Sequence, residues 1–112
     1  MTTEELGNNL IKVTLTGRLD APGVDGIETR FFEAIVPGGH HAIVDLTGVE
    51  FVTSMGIRMF IAAARGARAR NARFALFAPQ PLVREVFDNA ALQQLIDICP
   101  NEAAALAAVT AW

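Results

Sequence analysis

The residues of this chain best suited to chemistry stand together at positions 53–56, where the sequence reads Thr53-Ser54-Met55-Gly56. A hydroxyl in the first turn of a helix can cap an unpaired amide. The same place attracts a phosphate, because free N–H groups and the positive end of the helix dipole meet there. Ser54 is the predicted N-cap of such a helix, and Gly56 removes a Cβ beside it. These residues indicate either a plain helix cap or a phosphorylatable serine, and on their own they favour neither.

Other residue types that often carry catalysis are poorly arranged for it. His40 and His41 are neighbours just before a strand, where consecutive side chains point to opposite faces, and no third ligand has a metal-binding spacing. Cys99 lies in an apolar stretch, which predicts a buried, inert thiol. The chain contains no phosphate-binding loop motif and no dinucleotide fingerprint. We therefore expect no catalytic residue, no metal and no cofactor.

Composition indicates one folded domain spanning residues 1–112. Hydrophobic residues make up 52% of the chain, charged residues 19%, and there is one cysteine, so no internal disulfide can form. No apolar run approaches the roughly 20 residues that span a bilayer, and the acidic N-terminus lacks the apolar segment of a secretory signal. We expect a cytoplasmic protein that does not insert into a membrane.

Charge is divided unevenly along the sequence. The net charge is −3, but residues 1–52 hold eight acids and three bases, and five arginines lie within residues 58–73. A nucleic-acid-binding protein is usually more basic overall and interleaves aromatic residues with its arginines. The pattern therefore predicts a solvated helix face and no direct binding of nucleic acid.

Hydrophobic periodicity predicts alternating strands and helices. Strands are expected at 10–17, 41–46, 73–78 and 95–98, with a turn at 47–48 and a brief extended piece at 49–52. Helices are expected between Asp20 and Pro37, from 54 to about 70, from Pro81 to Asn89, and over 102–111. This order is typical of an α/β fold, here a mixed β-sheet of about four to five strands packed with four α-helices.

The second predicted helix carries two apolar faces. Positions 57, 60, 61, 64 and 67 share one side, which should face the core. We call the second face the methionine strip; it comprises Met55, Met59, Ala62 and Gly66, with Arg58 and Arg65 beside it. Methionines and small residues form a pliable surface on which another protein can pack. The alternative, that the chain's own loops cover the strip, stays open.

One stretch carries a family resemblance. Asp45-Leu46-Thr47-Gly48-Val49-x-Phe51-x-x-Ser54-x-Gly56 resembles the signature of STAS domains, the family of bacterial anti-sigma factor antagonists. Thr16-Gly17-Arg18-Leu19-Asp20 is similar to the end of the family's first strand, and the order of elements agrees over nearly the whole chain. The resemblance implies a mixed-sheet fold with four helices and a non-enzymatic role in regulating transcription.

The resemblance also implies a mechanism called partner switching. In that family, the unphosphorylated antagonist binds an anti-sigma factor that is also a serine kinase. The kinase phosphorylates a serine at the start of the second helix, which breaks the complex, and a phosphatase restores it. Ser54 falls on the phosphorylated position, Gly56 on the motif glycine and Asp20 on an acidic position nearby. The expected partner surface comprises Asp20, Thr53, Ser54, Met55, Gly56, Arg58, Met59, Ala62 and Arg65.

Thr53 departs from the family pattern, because an acidic residue usually precedes the serine. The departure makes Thr53 an alternative phosphate acceptor and keeps a second function open. Some STAS domains are never phosphorylated and dock as subunits beside lipid-transport ATPases or in stress-sensing assemblies. The sequence also leaves open whether the protein is a monomer or a weak homodimer.

Overall fold

A computed structural model describes residues 1–110, and in this part of the chain five strands form one mixed sheet. Their spatial order follows the sequence: β1 (Thr2–Gly7), β2 (Leu10–Leu19), β3 (His41–Val52), β4 (Phe74–Phe77) and β5 (Asp97–Cys99). The first strand runs antiparallel to β2, and the remaining neighbours pair in parallel. This arrangement confirms the predicted α/β class with a mixed sheet.

Within residues 1–110, four α-helices cover the sheet, as predicted. They are α1 (Ala21–Ile35), α2 (Ser54–Ala69), α3 (Pro81–Asn89) and α4 (Glu102–Thr110). Position 111, which was predicted to end the last helix, lies outside the described residues. Three successive strand–helix–strand units step across the sheet in one direction, and right-handed crossovers of this kind place their helices on one face.

Alternate strand residues face two separate hydrophobic cores. Ala42 and Val44 of β3 belong to the larger core beneath α1, α2 and α3, whereas Ile43 belongs to a smaller core that includes Ala105 and Val109 of α4. In the larger core, three buried rings join the three helices edge to face. Phe31 lies 5.8 Å from Phe60, and Phe60 lies 6.1 Å from Phe87, measured between ring centroids. The helix that begins at Ser54 is therefore held between its two neighbours.

Strand β1 was not predicted. Its side chains are almost all exposed, so the segment carries no hydrophobic alternation. The strand follows instead from the hairpin Gly7-Asn8-Asn9, in which all three residues have positive φ angles, of 85°, 52° and 60°. Glycine and asparagine tolerate that conformation better than other residues, so this tripeptide was the available signal.

Strand β3 is longer than predicted. The expected turn at 47–48 is wrong, because the strand continues through it with two irregularities in its pairing to β2. Each irregularity adds a residue to β3, so the buried positions become Leu46, Val49 and Val52 instead of alternating. The bulges bring Phe51 opposite Arg18.

Two leucines that lie within predicted elements are exposed. Leu82, in the first turn of α3, is 68% exposed, and Leu95 is 51% exposed. Leu95 and Ile96 do not belong to β5, because a short 3₁₀ helix, Leu92–Gln94, delays the strand until Asp97. The run at 95–98 therefore divides into an exposed residue, a buried residue and the first two residues of β5.

Candidate functional site

The first turn of α2 is fixed to the end of β2. The N-cap residue is Thr53, with extended backbone angles, and Ser54 is the first helical residue, so the prediction that Ser54 is the cap was wrong by one position. Thr53 donates its backbone N–H to the carbonyl oxygen of Leu19 at 3.1 Å and its hydroxyl to the same oxygen at 2.9 Å. Thr53 is thus half-buried, and its hydroxyl already donates a hydrogen bond to Leu19, which disfavours it as an alternative phosphate acceptor.

Ser54 presents its hydroxyl to solvent. The residue is exposed, and its side chain has no hydrogen-bond partner among residues 1–110. The first hydrogen bond of the helix runs from the amide of Ile57 to the carbonyl of Thr53, so the amides of residues 54–56 have no intrahelical acceptor. Since Thr53 makes no side-chain cap, these amides and the positive end of the dipole stay available to an anion on Ser54.

Gly56 faces inward and does not clear space beside Ser54. A Cβ at this position would lie 2.7 Å from Cγ2 of Val52 and 3.0 Å from Cβ of Leu19. The glycine therefore lets the first turn of α2 rest directly on the ends of β2 and β3. Because Gly56 is buried, the expectation that it belongs to the partner surface is wrong; it positions Ser54 from beneath.

Asp20 caps α1 at the same end of the sheet. One carboxylate oxygen accepts the amide of Gly23 at 3.0 Å, and the other accepts Nε of Arg18 at 3.2 Å. The amide of Gly23, and then the guanidinium of Arg18, hold the pKa of the Asp20 carboxyl below its usual range. Asp20 follows Leu19, the residue that anchors Thr53, so the starts of α1 and α2 meet at one strand end. The family resemblance implies an acidic residue near Ser54 in this place.

Phe51 and Arg18 also lie at this site, although neither was predicted as a site residue. The guanidinium carbon of Arg18 lies 4.5 Å from the ring centroid of Phe51, whose side chain is 38% exposed. Arg18 thus contacts an aromatic face and the Asp20 carboxylate together. Only the strand register brings these residues side by side, and a single sequence does not reveal a register that depends on bulges.

The methionine strip is only partly exposed. Met59 is 3% exposed, so its predicted place on an open surface is wrong, and Met55 is half-buried. The cause is α1, which packs against this side of α2. A Cβ on Gly66 would lie 2.8 Å from Cγ2 of Val36, the residue that ends α1. Of the strip itself, Ala62 remains exposed.

The two arginines beside the strip are open to solvent. Arg58 and Arg65 are exposed and form no ion pair with any residue of the described chain. Arg58 follows Ser54 by four residues, which places both side chains on one face of α2. An anion on Ser54 would therefore have a cation within one helical turn.

Residues 1–110 hold no group of three histidine, cysteine or acidic side chains that could bind a metal ion. His41 begins β3, and its Nδ1 accepts the amide of Arg73 at 2.9 Å. Cys99 is buried, as predicted, and burial raises the pKa of its thiol, with a further contribution from Asp97. Among the described helices, none is long and apolar enough to cross a bilayer.

Comparison with known proteins agrees with this geometry. Residues 1–105 match the STAS domain family. SpoIIAA in its unphosphorylated form, an anti-sigma factor antagonist, is 25% identical, with a TM-score of 0.80 over 99% of this chain and 96% of that one. An anti-sigma factor antagonist from Mycobacterium paratuberculosis has the same fold, with 24% identity and a TM-score of 0.84 over 97% and 93% of the two chains.

A third similar structure belongs to a much larger protein. The murine anion transporter Slc26a9 aligns with 93% of this chain at 19% identity and a TM-score of 0.74, but the alignment covers 18% of the transporter. Curated protein sequences give no match. Because the family match covers nearly the entire sequence and the solved antagonists share the complete fold, this chain belongs to the STAS domain family.

Proposed function

We propose that this protein is an anti-sigma factor antagonist that acts in the cytoplasm and regulates transcription by partner switching. Its partner is an anti-sigma factor with serine kinase activity, which phosphorylates Ser54 and is thereby released; a phosphatase reverses the modification. The observation that carries the proposal is the exposed Ser54 hydroxyl in a first turn whose amides are unpaired. SpoIIAA, which shares the fold, has been solved in unphosphorylated and phosphorylated forms.

The partner surface is built around the end of the sheet where α2 begins. Ser54 and Arg58 present polar groups on the exposed side of α2. Phe51, stacked with Arg18, adds an apolar contact from the neighbouring strand ends. Aromatic and arginine side chains supply much of the binding energy in protein interfaces. The surface therefore combines a modifiable centre with an adjacent anchor, and Asp20 and half-buried Met55 lie at its border.

Phosphorylation can release the partner without refolding the domain. A phosphate adds nearly two negative charges at neutral pH. In the free protein, the unpaired amides of the first turn and the Arg58 guanidinium favour that charge. In the complex, the same charge must lose its water beneath the partner. A penalty of about 3 kcal/mol would weaken binding more than a hundredfold.

The test is phosphorylation by the cognate anti-sigma factor kinase. The protein is incubated with the kinase and ATP, and the modified residue is identified by mass spectrometry. We expect one phosphate on Ser54 and none on Thr53, together with loss of the complex in gel filtration. The Ser54→Ala variant should bind the partner and stay unmodified, and Ser54→Asp should bind at least tenfold more weakly. An unmodified Ser54 beside an intact complex would overturn the proposal.

A second function is a constitutive, non-phosphorylated docking subunit of a membrane lipid-transport ATPase or of a stress-signalling assembly. Two observations favour it: Thr53 replaces the usual acid, and a STAS-like region occurs within the transporter Slc26a9. In this case Ser54→Asp would not alter complex formation. Co-purification from the native organism distinguishes the two functions, since this one yields a stable transporter complex with no kinase and no phosphorylated Ser54.

A further inference from the structure

A shallow apolar groove runs between α1 and α2. Its volume is about 290 Å³, and it is lined by Glu28, Thr29, Phe32, Glu33, Met59 and Ala62. Phe32 is 39% exposed at its edge, although it is a large apolar side chain. The two glutamates on the rim are exposed and have no ion-pair partner within residues 1–110. The groove thus combines an apolar floor with a negative rim.

The opposite flank of α2 carries the complementary surface. Leu95 projects from the turn that follows the 3₁₀ helix, with its side chain 51% exposed. It lies beside Arg65 and Arg68, which share a small hollow with it. Both arginines are exposed, and like the glutamates they form no ion pair in the described chain. An apolar knob flanked by two free cations therefore faces outward.

The positions of the two surfaces along α2 suit a twofold dimer. The groove lies beside Met59 and Ala62, whereas Leu95 lies beside the segment from Ile61 to Arg68. Along the axis of α2, the groove and the Leu95 knob are offset by only about one helical turn, roughly 5 Å. If two α2 helices pack face to face and roughly parallel, about a twofold axis that runs along them past Ala62, each knob meets the other copy's groove. In a twofold interface such a contact is made twice, which closes the assembly.

We propose that this face of α2 binds a second copy of the chain. Each Leu95 enters the groove beside Phe32 of the other copy, and Arg65 and Arg68 approach the glutamates on its rim. Ala62, small and exposed at the centre, allows the helices to come close. The charges favour a second copy of the chain as the partner that fills the groove, because the chain itself supplies both the acidic rim and the basic knob. The dimer shares Ala62 and Arg65 with the expected partner surface, but it needs no anti-sigma factor and no phosphate, so it can be tested separately from the proposed function.

Sedimentation of the full chain over a concentration series tests the dimer. We expect a reversible monomer–dimer equilibrium that weakens when salt is raised, because the paired charges are exposed. The double variant Arg65→Glu/Arg68→Glu should raise the dissociation constant about tenfold or more. Mixing it with Glu28→Arg/Glu33→Arg should restore association between the two variants, although neither associates with itself. Leu95→Asp should also disrupt the dimer.

Two control variants separate this interface from a general effect of charge or surface hydrophobicity. Leu82→Asp removes an exposed leucine that lies in α3, away from the groove, and Arg70→Glu reverses an arginine just beyond the end of α2. Both should dimerise as the parent protein does, and circular dichroism verifies that every variant is folded. A protein that stays monomeric at millimolar concentration overturns the proposal. So does a dimer that the Leu95 and arginine variants leave unchanged.

Discussion

Thr53 gives both of its hydrogen-bond donors to a single acceptor, the carbonyl oxygen of Leu19, at 3.1 Å from the amide and 2.9 Å from the hydroxyl. This double contact fixes the start of α2 to the end of β2. It also explains why a threonine can occupy a cap position without capping the helix by its side chain. Because Ser54 is the next residue, this anchor also fixes the position of Ser54 relative to the end of β2.

Replacing Thr53 by valine should test the anchor. The variant keeps the shape of the side chain but loses the hydroxyl donor to Leu19, so the free energy of unfolding should fall by about 1 kcal/mol. Thr53→Ser should retain most of the stability. Thr29→Val, at an exposed position of α1, is the matched control and should change little. Urea unfolding of the three variants gives the comparison; equal losses in Thr53→Val and Thr53→Ser would contradict the anchor.

Two glycines in helices should respond oppositely to alanine. At Gly56, a Cβ would press on Val52 and Leu19, so Gly56→Ala should lower the free energy of unfolding by about 1–3 kcal/mol. At Gly26, in α1, a Cβ would meet nothing within 4 Å. Gly26→Ala should therefore raise stability by about 0.5–1 kcal/mol, because alanine favours the helix. Thermal unfolding measures both; a neutral Gly56→Ala would show that the first turn has room to move.

A negative charge on Ser54 should stabilise the free protein. The unpaired amides and the helix dipole predict that Ser54→Asp raises the free energy of unfolding by about 0.3–1 kcal/mol at low salt. The neutral Ser54→Asn variant is the control, and the difference between the two should shrink in 1 M salt, where the Debye length is only about 3 Å. If the aspartate destabilises the fold, phosphate would disrupt the domain itself and not only its complex.

Asp20 should make stability depend on pH in the acid range. Its pKa is lowered in the folded state, chiefly by the Gly23 amide and then by Arg18, so the ionised form stabilises the fold. That stabilisation is complete above the unfolded pKa, near 3.8, and is lost as the pH falls through the lower folded value. Asp20→Asn should therefore be less stable than the parent at pH 6, and the gap should narrow below pH 4. Asp25→Asn, at an exposed position of the same helix, is the control for removing a carboxylate and should be as stable as the parent at pH 6.

Cys99 should react slowly with thiol reagents while the protein is folded. The side chain is buried and its pKa is raised, so little thiolate is present at pH 8 and reagents have poor access. We expect alkylation roughly ten times slower than at an exposed cysteine, with the difference abolished in denaturant. The reference is a Cys99→Ser protein that carries Thr29→Cys. Equal rates in the folded state would show that α4 leaves its core readily.

The sequence was informative wherever burial follows a regular period. Val24, Phe31 and Ile35 recur at helical spacing, and all three are buried in α1. On α2 the same reasoning identified the core face correctly, since Phe60 and Ala67 are buried and Ile57, Ile61 and Ala64 pack against the core. It failed for the methionine strip, because a helical wheel identifies an apolar side without showing where the neighbouring helix lies. Met59 is buried because α1 lies against it, and no local pattern in α2 indicates that packing.

The details of the candidate site depend on contacts between residues far apart in the sequence. Thr53 and Leu19 are separated by 34 positions, and the acceptor is a backbone carbonyl, which has no signature in the sequence. The pairing of Arg18 with Phe51 likewise depends on two bulges in β3. Motif spacing located the start of α2 to within one residue, but the identity of the cap and the neighbours of Ser54 required the tertiary structure.

The two edge strands of the sheet limit how another polypeptide can bind to this domain. On one side, β1 presents exposed threonines and the carboxylates of Glu4 and Glu5; on the other, β5 is three residues long. Charged or very short edges discourage a foreign strand from extending a sheet. Amyloid-like stacking and strand exchange are therefore disfavoured, and a binding protein is directed to the helical side, where association can be reversed by a change in charge.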